Sequence, residues 1–517
     1  MVDVSRSIRD ILGEDYLQRV CRARAVLDPL AAADCERIAG ERVSFFPSSM
    51  RDRIDELLTR VGEQVAEPFT GGGEGAPSDS FREASSLGAA PVAGFGPLRI
   101  GEDGRLYFVS KSEHYHSSLG HAFPGYRLIN HARTLGIPNA THNNTRGHIV
   151  RLLERELVRI INDVPHDDTS ALESVLAAAD GRTLNRVINL QTGSLAAEAA
   201  LKMMLTRFYH ADAAPATPRY AGRTPVIFVI ADYAGGNQAN YHGTTMFAQM
   251  MRGLWPEVAR RIDDRGLLRV VPVRINDLED FRSKLEQHDR GESKVAGFFH
   301  EIVLMNYGGV LLDRDYLHGA YALCRQHDVA VCVDEIQSCI WYEGLFLFKQ
   351  YGLSPDFVAI GKGFSGGEYA GSRIVTTAAM DSLTQFGALV TNGQEELAAL
   401  AYLVTMIFAE ANRDHTRRIG ALYEQRLREL QAKHHGSLTA IEGKGHLSTV
   451  FFERTQDAVR FCTLLNQRGI DISAHTYKPD CPPAALTKLP LITSEAGVEF
   501  LISRMDEALH ELAVGYP

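Results

Sequence analysis

Short, fully apolar runs at residues 226–231, 329–333 and 357–360 alternate with longer stretches of helical apolar spacing, across roughly residues 185–376. Runs that are apolar at every position, rather than at every second one, suit strands buried on both faces. Their alternation with helices predicts an α/β fold, a mostly parallel sheet covered by helices on both sides. Upstream, Gly101-Glu102-Asp103-Gly104-Arg105 lies between two short apolar stretches and predicts a hairpin turn. Downstream, Ile419, Tyr423, Leu427 and Leu430 recur at helical spacing among charges. So do Val498, Leu501, Ile502, Met505, Leu509 and Leu512, with Thr493 or Ser494 placed to cap the second helix. Both patterns predict cover helices of a smaller C-terminal domain. The chain from Met1 to Phe69 mixes charged and apolar positions as helices do, and Thr70-Gly71-Gly72-Gly73-Glu74-Gly75-Ala76-Pro77-Ser78 has the composition of a linker or mobile loop.

Composition narrows the picture. The chain has 517 residues, 45% hydrophobic and 23% charged, enough for more than one domain with ordinary cores. A net charge of -10, with no basic block interleaved with aromatics, argues against nucleic acid as a partner. Cys21, Cys35, Cys324, Cys332, Cys339, Cys462 and Cys481 are scattered, with no Cys-x-x-Cys pair. They read as reduced thiols of a cytoplasmic protein rather than a disulfide frame. The N-terminus has no apolar core of signal-peptide length, and no apolar run reaches the length of a membrane span. The expectation is a soluble cytoplasmic protein acting on a small molecule, away from membranes.

The chemistry concentrates at two strand ends. Asp334 follows the run 329–333 in Val331-Cys332-Val333-Asp334-Glu335-Ile336-Gln337. Lys362 follows the run 357–360, a second short strand, in Gly361-Lys362-Gly363-Phe364-Ser365-Gly366-Gly367. Open α/β sheets place ligands at the carboxyl ends of their strands. An amine and a carboxylate there match what pyridoxal phosphate requires: one to form a Schiff base, the other to keep the pyridine nitrogen protonated. A buried Asp334 needs a cationic partner, which that nitrogen supplies. Gln337 can hydrogen-bond the phenolic oxygen of the ring. A lysine alone is most often a solvated surface charge; the strand end, the flanking glycines and Asp334 together give Lys362 its reading.

Gly193 and Ser194 precede Leu195-Ala196-Ala197-Glu198-Ala199-Ala200-Leu201-Lys202, a strong helix former. A helix N-terminus there would attract a phosphate, although Thr-Gly-Ser before such a helix is more often a simple cap. Tyr241, in Tyr241-His242-Gly243, is placed either to stack on a ring or to fill the core. His242 has no second ligand at i+3 or i+4 and is not read as metal-binding; no metal site is expected.

These segments, in this order, resemble the class III aminotransferases, a fold-type-I pyridoxal phosphate family, over roughly residues 98–512. The resemblance implies a large domain with a mostly parallel seven-stranded sheet, a smaller α+β C-terminal domain and a homodimer with shared active sites. It places the large cofactor domain at 146–400 and the small domain at 401–517. Residues 98–145 become an N-terminal segment of the small domain at the site entrance, leaving residues 1–97 as an extension. It makes Lys362 the Schiff-base lysine, Asp334 the partner of the pyridine nitrogen, Gln337 the phenolate contact, and Gly193 with Ser194 the phosphate-binding helix start. Tyr241 would stack on the ring with His242 beside it, and Glu301 would lie near the phenolic side. Thr391, downstream of Lys362 in Thr391-Asn392-Gly393-Gln394, resembles the threonine that reaches the phosphate across the dimer interface. Gly120-His121-Ala122-Phe123-Pro124 resembles the family's N-terminal Gly-His-x-x-Pro segment.

The departures fall at substrate positions. Ser338-Cys339-Ile340-Trp341-Tyr342 stands where small residues and an arginine are usual, and Glu395-Glu396 replaces Asn-Pro. Near Ala485-Leu486-Thr487-Lys488-Leu489-Pro490-Leu491 no arginine offers the bidentate fork that grips a carboxylate; Lys488 is a point charge. Ser112-Glu113-His114-Tyr115-His116 lies at the entrance, so His114 and His116, with Trp341 and Lys488, are the candidate substrate contacts, or else His114 and His116 are surface histidines of a polar loop. Transfer of an amino group between an amine or amino acid and a keto compound is the first functional reading. The alternative is a non-transaminating reaction on an unusual polar substrate in specialised metabolism, such as decarboxylation, epimerisation, elimination or bond formation. A non-catalytic scaffold ranks last, because the chemical residues are intact.

Overall fold

A computed structural model describes residues 1–73, 75–84, 89–111, 116–211, 217–476 and 481–514. Its centre is a seven-stranded sheet: β1 Leu184–Leu190, β2 Thr224–Ile230, β3 Arg269–Val273, β4 Ser293–His300, β5 Ala330–Asp334, β6 Phe357–Ile360 and β7 Ser372–Thr377. Their order across the sheet is β1-β7-β6-β5-β4-β2-β3. Strands β2 to β6 run parallel to one another, and β7 is antiparallel to both β6 and β1. The α/β class and the mostly parallel sheet are as the alternation predicts.

The parallel strands β2, β5 and β6 are apolar along their length because each feeds two cores. Val226, Phe228 and Ile230 of β2, Val331 and Val333 of β5, and Val358 and Ile360 of β6 point into one. Ile227, Val229, Ala330, Cys332, Phe357 and Ala359 point into the other, against Ala196, Ala200 and Met204 of the helix Gly193–Leu205. Burying a side chain of this size contributes about 1.5–3 kcal/mol.

The first core also takes in Ile8, Leu12, Leu17, Met50 and Ile54 from the N-terminal helices Ile8–Leu12, Glu14–Leu27 and Ser48–Leu58, packed with Leu128 and Ile149. Ser7 and Asp10 form a reciprocal capping box at the start of the first of these helices.

Outside the central sheet, two four-stranded sheets pack with the helices Arg413–Lys433, Thr455–Gln467 and Glu495–Val514. The hairpin around residues 101–105 is present, with Leu98–Gly101 antiparallel to Leu106–Val109, and Ile470–Asp471 extends that sheet from far along the chain. Leu438–Lys444, Leu447–Phe452, Ala484–Lys488 and Ser473–Ala474 make the other sheet. Ile419, Tyr423, Leu427 and Leu430 face Val498, Leu501, Met505, Leu509 and Leu512 in one core, and the Ser494 hydroxyl accepts from Gly497 N at 3.1 Å as the cap of the last helix. Among the described residues no helix is long and apolar enough to cross a membrane.

Candidate active site

The carboxyl ends of β5 and β6 lie side by side, since Asp334 pairs with Ala359 in the parallel register. Asp334 is the last residue of β5 and only 3% exposed. Its Oδ1 accepts from Ile336 N at 3.0 Å and its Oδ2 lies 2.9 Å from His242 Nδ1. After β6, Gly361 continues the extended strand and the chain then turns sharply at Lys362, whose φ of 43° is unusual for a residue with a side chain. Such a conformation costs of order 1–3 kcal/mol and persists only where its surroundings impose it. Desolvation in the cavity wall holds the Lys362 amine below its ordinary range, opposed by the Glu301 and then the Asp334 carboxylates. A larger neutral fraction at neutral pH follows, which suits a nucleophile and a proton acceptor.

Lys362 and Asp334 open onto a cavity of about 480 Å³. The structure brings Gly193, Ser194, Tyr241, His242, Glu301, Gln337 and His116 to its wall as well. Thr192 caps the helix that starts at Gly193, and the Ser194 hydroxyl accepts from Thr244 N at 2.9 Å, fixing the loop 241–244 over the helix start. Gly243 makes that contact possible: its φ is 115°, and a Cβ there would stand 2.4 Å from Ser194 Cα. Glu301 is buried at the end of β4, beside His300, whose pKa burial lowers to about 3.

Other candidate residues are placed elsewhere. His114 lies outside the described residues. Thr391 is exposed and does not line its own chain's cavity. Trp341 and Lys488, expected at the substrate, do not line the cavity either but sit behind it. Trp341 is 1% exposed, donates from Nε1 to Leu489 O at 3.0 Å, and packs so closely on Gly363 that a Cβ there would stand 2.1 Å from its ring. Lys488 Nζ lies 3.8 Å from the centre of the Trp341 ring, fully buried. Burial and then the Lys362 charge hold its pKa well below the ordinary value. Removing the indole in Trp341→Ala leaves a void under the Lys362 turn, and the unfolding free energy is expected to fall by about 3–5 kcal/mol in denaturant titrations.

Tyr369, Ser365, Gln191 and Gly371 line the cavity without having been singled out in the sequence. The Tyr369 hydroxyl accepts from Arg133 at 2.5 Å, a contact between distant parts of the chain that no local pattern signals. Gly243 did have a signal, a glycine beside the tyrosine-histidine pair, but its packing role needs the fold. Among the described residues of the lining there is no arginine.

Buried at this site, Gln337 Oε1 and His242 Nε2 have no hydrogen-bond partner among the described residues. An unmet buried polar atom costs about 1–3 kcal/mol, so a polar ligand is expected here. Gln337, a desolvated lysine and a buried carboxylate are what a pyridine ring with an aldehyde and a phenolic oxygen would meet, and the helix start at Gly193 offers backbone donors to a phosphate. The residues present fit pyridoxal phosphate.

The fold is that of the fold-type-I pyridoxal phosphate proteins. Sequence comparison narrows the class: a model of the family "Aminotransferase class-III" matches residues 137–509, and the chain belongs to that family. An ornithine aminotransferase of Emericella nidulans is 26% identical over 249 residues, 47% of this chain and 52% of that protein. An acetylornithine aminotransferase of Haemophilus ducreyi is 28% identical over 243 residues, 45% of this chain and 56% of that protein. The alignments thus span about half the length of these relatives. The crystal structure of the ornithine aminotransferase from Toxoplasma gondii superposes with a TM-score of 0.64 at 19% identity, covering 84% of this chain and 93% of that one. An aminotransferase from Vibrio fluvialis, in a PMP-bound form, superposes with a TM-score of 0.65 at 17% identity, covering 87% and 97%.

Pyridoxal 5′-phosphate is the cofactor of this family, and Gly243 provides a local test of its seat. Gly243→Ala must strain the backbone and push on Ser194, and is expected to weaken cofactor binding about tenfold or more in fluorescence titrations, the equivalent of ~1–3 kcal/mol of strain.

Proposed function

We propose that this protein is a pyridoxal phosphate-dependent aminotransferase, moving an amino group from an amine or amino acid to a keto compound. The observation that carries the proposal is the Lys362 amine at the end of β6, facing the same cavity as the Asp334 carboxylate at the end of β5. When bound, the cofactor supplies an aldehyde that links to amines and a ring that accepts electrons from the substrate carbon. Lys362 would hold that aldehyde, and once freed its Nζ would stand as the general base that takes up and returns a proton at the cavity wall. Asp334, its Oδ2 fixed by His242, would keep the ring nitrogen protonated. Gln337 would meet the phenolic side, Tyr241 would lie beside the ring, and Gly193 and Ser194 would hold the phosphate.

Relatives named for ornithine and acetylornithine support a donor carrying a primary amine. His116, Ser365 and Tyr369 on the wall, in a described lining without arginine, favour a polar donor whose recognition does not rest on a guanidinium–carboxylate pair, as a substrate of specialised metabolism would be. The exposed Thr391, outside its own chain's cavity, supports a homodimer in which each chain completes the other's phosphate site. Seven buried cysteine thiols support a cytoplasmic setting. The test is nitrogen tracing: with ¹⁵N-labelled amine donors and a keto acceptor pool, the label is expected in a new amine derived from the acceptor. Label kept in a product of the donor would overturn the proposal.

A further inference from the structure

The helices Arg413–Lys433 and Glu495–Val514 lie against one another in the C-terminal core. On the second, Asp506 and His510 stand at i and i+4 and so share one face, a turn apart along the axis. The residue that follows the first helix, His434, reaches the same spot. Its Nε2 is 2.6 Å from Asp506 Oδ1, and its ring centre is 4.7 Å from that of His510. One donor atom from each of the three lies within 4.8 Å of the other two. None of the three lines the cavity at Lys362.

We propose that His434, Asp506 and His510 form a binding site for a divalent transition metal of the zinc class. Two imidazoles and a carboxylate are a donor set for zinc, cobalt, nickel or copper rather than for magnesium or calcium. Bonds of about 2.0–2.2 Å in tetrahedral geometry place donor atoms roughly 3.3–3.6 Å apart. The present arrangement brackets that spacing: the His434–Asp506 pair is closer, and no separation exceeds 4.8 Å. His434 is buried and fixed, whereas His510 is exposed, so its rotation can close the site. Lys433 Nζ sits 2.6 Å from Asp506 Oδ2, the carboxylate oxygen that His434 does not bond. That contact leaves Oδ1 as the single ligating oxygen and orients it, as hydrogen bonds to a ligating carboxylate do. A His434–Asp506 ion pair alone would explain two of these residues; it gives no reason for a second imidazole one turn along. Water would complete the coordination, and the metal would fasten the end of one helix to the other.

The test is titration of zinc chloride into the pyridoxal phosphate-loaded protein, by calorimetry and by thermal unfolding. Saturable binding of about one zinc per chain is expected, with a rise in Tm because zinc binds the folded state. His510→Ala and Asp506→Asn are expected to weaken binding roughly tenfold or more and to abolish the rise, with cofactor absorbance unchanged as the sign of an intact fold. Absence of saturable binding up to millimolar zinc, or binding by both variants equal to that of the parent, overturns the proposal.

Discussion

Lys362→Ala is expected to remove the visible absorbance of the covalent cofactor link and to lower turnover with any amine donor by roughly 10²–10⁴-fold or more, the range for loss of a general acid–base group. On the proposed function the side chain would have two duties. It would anchor the aldehyde, and its amine would move the proton between the substrate carbon and the cofactor carbon on the far side of the linking nitrogen. Among the described residues of the cavity wall Lys362 is the only lysine, and Lys488 lies outside that lining against the Trp341 ring. The fold should survive, because alanine keeps the backbone and removes only a desolvated amine; retained cofactor absorbance at a shifted wavelength, from free aldehyde, separates this outcome from unfolding. Full activity in the variant would transfer both duties elsewhere and remove the basis of the site.

Asp334→Ala is expected to have the second-largest effect. Buried between β4 and β6, the carboxylate is proposed as the counter-charge that keeps the cofactor's ring nitrogen protonated. Removing one member of a buried ion pair costs about 3–5 kcal/mol, which corresponds to roughly two to four orders of magnitude in kcat/KM. His242 loses its hydrogen-bond partner in the same step, so part of the loss is expected in cofactor affinity. Steady-state kinetics at saturating cofactor separates the two: the affinity part is recovered and the rate part remains. Wild-type kcat/KM in the variant would mean that Asp334 does not face the ring.

What could be read from the sequence follows from how local its cause is. The runs in β2, β5 and β6 announce themselves because burial on both faces leaves no position for a polar residue. Strands β1 and β7 carry Asn185, Asn189, Ser372 and Arg373, and look like loops until their partners are known. Asn185 donates to Val175 O and Ala178 O in the preceding helix and its end, and Arg373 donates to Leu190 O while lying over the Tyr402 ring, contacts that only the fold supplies. The direction of β7, against its neighbours, has no compositional sign at all.

The site divides in the same way. Asp334, Gln337, Lys362 and the Gly193–Ser194 step stand at strand or helix ends, where position in the element settles where the side chain goes. Trp341 does not. Ile340, at a φ of 77°, bends the chain back so that its N–H meets Leu345 O at 2.6 Å, and the indole turns under Gly363 instead of into the cavity. Lys488 points inward from a strand of the small sheet and meets that indole. The segment that departs most from the family pattern, residues 338–342, is therefore the floor beneath the lysine turn: Cys339 donates to Gly361 O, and Trp341 fills the space below Gly363.

Amino transfer by this cavity is tested most directly in a single half-reaction. The pyridoxal phosphate-loaded protein is mixed with an amine donor and no keto acceptor, and the cofactor released on denaturation is weighed by mass spectrometry. The account predicts conversion to pyridoxamine phosphate, one equivalent per site, with one equivalent of the keto product of the donor. A donor consumed while the cofactor stays in its aldehyde form would contradict it.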